Sequence, residues 1–75
     1  MRAREVNRRI ERLGGQVARQ VGSHRRYVVT YTDSADQEAT VAPTVAQHPG
    51  DIPRGTLRAI EKDLEPAFGE GWLTR

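Results

Sequence analysis

A chain of 75 residues without cysteine has room for one modest core, because a domain this short buries only about 60% of the surface its unfolded chain exposes. Neither disulfides nor thiolate-bound metals can reinforce that core, so tight packing or a partner protein must, and a partner is the favoured source. The net charge is only +2, and the charged start Met1-Arg2-Ala3-Arg4-Glu5 leads into no apolar run, which reads as neither a signal peptide nor a membrane span and sets the expectation of a soluble, cytoplasmic protein.

Val6, Ile10 and Leu13 recur at helical spacing among Arg, Asn and Glu, which predicts an amphipathic helix over residues 3 to 13 with all three on its core face. Gly14-Gly15 ends it. Residues 16 to 21 alternate, with Val17 and Val21 on one side, and suit a short strand. A tight turn at Gly22-Ser23 leads into residues 24 to 32, where Tyr27, Val28, Val29, Thr30, Tyr31 and Thr32 make the strongest strand candidate. Asp33-Ser34-Ala35-Asp36 is a polar hairpin loop, and residues 38 to 42 form a third strand that Pro43 stops, since proline cannot donate to a ladder. The stretch 43 to 50, with two prolines and a glycine, reads as a loop carrying His48. A second helix spans residues 53 to 64, with Asp51 as its cap, Pro53 in its first turn and Leu57, Ile60 and Leu64 as its core stripe. Pro66 interrupts or restarts it, and the remainder, with the only Phe and Trp, is a packed tail or an interaction arm.

This order gives a single α+β domain over residues 1 to 75, with a core of about 3 to 64 and an extension of 65 to 75. A three-stranded antiparallel sheet carries two helices on one face and leaves the other open to solvent or ligand.

Charge is distributed unevenly. Residues 1 to 26 hold eight arginines against Glu5 and Glu11, while the rest is net acidic. Such a basic half is either an anion-binding face, with nucleic acid the commonest anionic partner, or a solvated helix surface. The predominance of Arg over Lys favours RNA or DNA, because guanidinium groups grip phosphate in a bidentate way and stack on bases.

His24 opens the best strand. By the strand's period of two it shares a face with Arg26, Val28 and Thr30, while Tyr27, Val29 and Tyr31 point the other way, toward the helices. His24 and Arg26 then lie together on the open face, a base beside a phosphate clamp, with Val28 an apolar misfit among them. RNA carries its own nucleophile, the 2′-hydroxyl, so its cleavage needs no metal or cofactor, only a base for that proton and an acid for the leaving oxygen. Imidazole, with a reference pKa of about 6.5, suits both. The structural alternative is a histidine satisfied by a backbone bond at a turn.

The arrangement Arg19-x-x-Gly22-Ser23-His24-x-x-Tyr27, followed by Ile52-Pro53-Arg54-Gly55-Thr56-Leu57-Arg58-x-Ile60, resembles the HicA toxins of bacterial HicA-HicB systems, over roughly residues 3 to 64. The resemblance implies a fold similar to double-stranded RNA-binding domains in the order α-β-β-β-α, an endoribonuclease that cuts messenger RNA to arrest translation, and neutralisation by a HicB-type antitoxin. The family's catalytic histidine falls on His24. This sequence departs from the family's pattern where an insertion separates Val41-Ala42-Pro43 from His48, and where the chain continues through Phe68 and Trp72.

Other pairings are weaker. Ser23 and His24 are neighbours in extended chain and point to opposite faces, so they cannot act as nucleophile and base. His24, His48 and Asp51 lack the close spacing of a metal site, so no metal is assigned. Gly55 and Thr56 lie in the first turn of the second helix, where free N–H groups between Arg54 and Arg58 would favour a phosphate. Equally, Gly55 would merely permit close packing and Thr56 would bond its own turn.

Three functions follow. The first is a ribonuclease toxin using His24, with Arg19, Arg25 and Arg26 holding phosphates, and with Ser23, Arg54, Thr56 and Arg58 as further RNA contacts. The second is a non-catalytic RNA-binding module, marked by salt-dependent affinity without cleavage products. The third is a protein-interaction domain working through Phe68, Trp72 and Leu73.

Overall fold

The computed structural model describes residues 1–74. Helix α1, Ala3–Arg12, buries Ala3, Val6, Asn7 and Ile10. Glu5 in its first turn and Arg9 and Arg12 in its last complement the helix dipole. Leu13 is a correction to the expected core: it caps the helix instead of continuing it and remains 48% exposed. Gly15 follows at a close approach, where a Cβ would collide with Ile10 Cγ2, so only glycine lets the chain turn so tightly against the helix.

Strands β1 (Gln16–Val21) and β2 (His24–Thr32) form an antiparallel hairpin, with Val21 opposite His24. Gly22 makes the turn at φ 57, a left-handed conformation that costs glycine little. The register of β1 shifts between Val17 and Arg19, the signature of a β-bulge. The shift separates side chains that an unbroken strand would keep together. Val17 sits opposite Tyr27, whereas Arg19 and Val21 sit opposite Arg26 and His24, so the two valines do not share a side as the alternation predicts.

Strand β3 (Glu38–Val41) pairs with the far half of β2, from Val29 opposite Val41 to Thr32 opposite Glu38. The loop between them closes on Asp33, whose Oδ1 accepts bonds from the N–H groups of Ala35 and Gln37 at 2.9 and 3.0 Å. The expected loop over residues 43 to 50 contains a fourth strand, β4 (Thr44–Ala46), which pairs with the near half of β2 on the side away from β1. Pro43 does interrupt the ladder, yet its carbonyl accepts the Tyr27 N–H at 2.9 Å and bridges the break. The sheet therefore has three rows, the third split into β3 and β4.

Helix α2, Arg54–Phe68, continues through Pro66 instead of stopping before it. Pro66 and Lys62 lie on the solvent side, where water can satisfy the carbonyl that the proline leaves without a donor. Asp51 does not cap this helix. Pro53 occupies the cap position with no side-chain bond, and the Asp51 carboxylate lies 3.6 Å from the N-terminal ammonium.

Both helices back the same face of the sheet. The core joins Ala3, Val6 and Ile10 of α1, Tyr27 and Val29 of β2, Val45 of β4 and Ile60 and Leu64 of α2 with Trp72 and Leu73. The last two are each 3% exposed. Trp72 Nε1 donates to the Glu61 carbonyl at 2.8 Å, and its ring meets Phe68 edge-on at 5.2 Å. The tail thus completes the interior, and burial removes Trp72 and Leu73 from any outward working surface.

Candidate functional site

Alternation along β2 sorts its side chains as the sequence implies. Tyr27 and Val29 are buried against the helices, while His24, Arg26 and Thr30 are exposed on the opposite face and Val28 is half-buried among them. The neighbouring strands extend that exposed face around His24. Cross-strand partners share a side of the sheet, so Arg19 and Val21 flank Arg26 and His24 from β1, and Thr44 and Ala46 flank them from β4. Arg19, Val21, His24, Arg26 and Thr44 together line an open hollow of about 480 Å³.

The bulge in β1 brings Arg19 to this face. Among the described residues, Arg19, His24 and Arg26 have no side-chain hydrogen bond or ion pair, so all three are available to an incoming group. Thr44 brings a hydroxyl that sequence reasoning missed, because it lies in a three-residue strand between Pro43 and Pro49. The hollow combines an imidazole, two guanidinium groups, a hydroxyl and an apolar wall from Val21. Such a set can hold a phosphodiester and exchange a proton with it.

Arg25 falls on the other side of the sheet. Its Nε donates to Gln20 Oε1 at 2.7 Å, its Nη1 to the Tyr27 hydroxyl at 3.5 Å, and the same nitrogen is 4.0 Å from Glu11 Oε2. Tyr27 in turn donates to Glu11 Oε2 at 2.6 Å. Burial and the Glu11 bond push the Tyr27 phenol upward, against the pull of Arg25. This network ties the hairpin to α1 and occupies a guanidinium that the sequence counted among phosphate ligands.

Ser23 lies in the turn before His24 and offers its carbonyl to the Gln47 N–H. Arg54 and Arg58 line a separate hollow with Met1, Leu57, Glu61, Leu73 and Thr74, and Thr56 is exposed in the same first turn of α2. The structure does not bring these three to His24. His48 lies beside Arg2, Arg4 and Gln47 in another hollow. Among the described residues no three His, Cys, Asp or Glu side chains gather as a metal site, and no helix is long and apolar enough to cross a membrane.

A family model described as the HicA toxin of bacterial toxin-antitoxin systems matches residues 3–65. The chain belongs to the HicA toxin family. No curated protein and no solved structure matches it. Its function is thus that of a toxin paired with an antitoxin, and the matched span contains the whole hollow around His24. In this HicA toxin, β4 follows Pro43 and completes the His24 side of the sheet. Residues beyond the matched span contribute Phe68, Trp72 and Leu73 to the packing.

Proposed function

We propose that this HicA toxin is an endoribonuclease that cleaves messenger RNA through His24, and that a HicB-type antitoxin neutralises it. The observation that carries the reading is the exposed His24 imidazole in a hollow shared with Arg19 and Arg26. Family membership supports the antitoxin as partner.

In the proposed step the RNA backbone crosses the hollow with one phosphate against Arg19 and Arg26. His24 takes the proton of the adjacent 2′-hydroxyl as its oxygen forms a bond to phosphorus. The bond from phosphorus to the 5′-oxygen breaks, and water supplies the proton that this leaving oxygen needs. The two guanidinium groups offset the charge that builds on the phosphoryl oxygens, where preorganised donors contribute most. The chemistry needs nothing beyond side chains and solvent.

His24→Ala tests the reading. A positioned acid–base group contributes about 10²–10⁴-fold in rate, so the variant should lose RNA cleavage and growth arrest by that order. Its circular dichroism and antitoxin binding should stay unchanged. Cleavage at the parent rate by the folded variant would remove His24 from the chemistry and leave an RNA-binding module.

A further inference from the structure

Asn7 is an unexpected tenant of α1. It lies between Val6 and Ile10, both fully buried, and is itself only 8% exposed. Asparagine is a poorer helix former than alanine or leucine, and burial of its amide is costly unless every polar group finds a partner. A hydrophobic side chain would serve the core more simply.

Its partner is Gln47, forty residues away in the chain. Asn7 Nδ2 donates to Gln47 Oε1 at 2.7 Å, and Gln47 Nε2 donates back to Asn7 Oδ1 at 3.1 Å. Gln47 Nε2 also donates to the Val45 carbonyl at 3.0 Å. The amide of Gln47 is thereby fixed between α1 and β4. Its backbone N–H then donates to the carbonyl of Ser23, the residue before His24, while Ala46 pairs with His24 itself.

We infer that the Asn7–Gln47 amide pair is a positioning device, which transmits the placement of α1 through the end of β4 to the Gly22-Ser23 turn and so aims His24. The His24 side chain has no hydrogen bond of its own among the described residues, so its aim is inherited from its backbone. That backbone leaves a glycine turn, which is locally permissive. On the β1 side the turn is steadied by Gln20, whose Nε2 donates to the Gly22 carbonyl at 3.2 Å on an exposed surface. The opposite side depends on Gln47. Neither Asn7 nor Gln47 lines the hollow around His24, so both act through the histidine. The inference rests on the reading of His24 as the reacting group.

The experiment compares Gln47→Ala and Asn7→Ser with the exchange variant Asn7→Gln/Gln47→Asn, all assayed well below their melting temperatures on one RNA. Misplacement of a reacting group by about 1 Å costs about 100-fold. Each single variant should therefore lose about 10- to 100-fold in kcat with KM changed less than about twofold, and the exchange variant, which retains facing amides, should recover most of the loss. Ring signals of His24 in two-dimensional NMR should shift or broaden in the single variants, while those of Tyr31 at the far end of β2 stay in place.

Parental kcat in folded Gln47→Ala and Asn7→Ser, with unmoved His24 signals, would overturn the inference. So would recovery of stability in the exchange variant without recovery of kcat. If His24→Ala cleaves RNA normally, the catalytic reading fails on that variant alone, and the His24 ring signals still decide whether the amide pair holds the imidazole.

Discussion

At the scale of single residues, β2 assigns opposite duties to neighbours. Tyr27 faces inward and joins α1 through Glu11, and its phenol is pushed above the ordinary 10.0 by burial and by that hydrogen bond. The folded form therefore keeps its proton more tightly than the unfolded chain. This contribution to stability is full below about pH 10 and is lost as pH rises through the folded value. Urea denaturation at increasing pH above 9 should show the parent losing stability through this window more steeply than Tyr27→Phe, and equal slopes would refute the assignment. The sequence discloses the inward direction of Tyr27 and the outward direction of His24 and Arg26, because a strand's alternation is strict. The same alternation turns Arg25 inward although its charge suggests a phosphate ligand, and only the Gln20 and Glu11 contacts show how it is used. The reciprocity of Asn7 and Gln47 has no local signal at all, since the two are joined only by the closed fold.

At the scale of elements, the long periodic segments were readable and the short irregular ones were not. Both helices and β2 follow from stripes and β-rich runs that extend over many residues, and the turn signals around them set off β1 and β3. Strand β4 has three residues and lies between prolines, too short to display a period, and its stability comes from pairing with β2. The bulge in β1 is equally silent, because one extra residue alters facing without altering composition. Leu13 keeps the helical spacing but falls just past the last turn, where the stripe no longer meets the core. The tail takes the first of its two expected roles, that of a packed segment. Trp72→Ala should cost about 3–5 kcal/mol, a large part of the about 4–11 kcal/mol expected for a domain of 75 residues. Chemical denaturation followed by circular dichroism measures it. A loss below about 0.5 kcal/mol, within the range of an ordinary surface substitution, would contradict the burial of the indole.

At the scale of the whole molecule, a net charge of +2 conceals a concentrated field. The arginine excess of the first 26 residues is divided by the sheet, with Arg19 and Arg26 on the His24 side and Arg25 on the helix side. The logarithm of RNA affinity should consequently fall linearly with the logarithm of salt concentration. Arg26→Ala should reduce the slope by about 0.7, the amount for one contact to a single strand. Fluorescence anisotropy with a labelled non-cleavable oligonucleotide measures the slope, and an unchanged value would place the backbone elsewhere. A last consequence comes from Trp72 and Leu73, which seal the interior although they follow every other core residue in the chain. A ribosome must translate past Leu73 before the hydrophobic centre can close behind the sheet. Until then a nascent polypeptide already carries the imidazole but lacks the finished scaffold that fixes it, so the proposed cleavage of RNA would await a chain extended beyond Leu73.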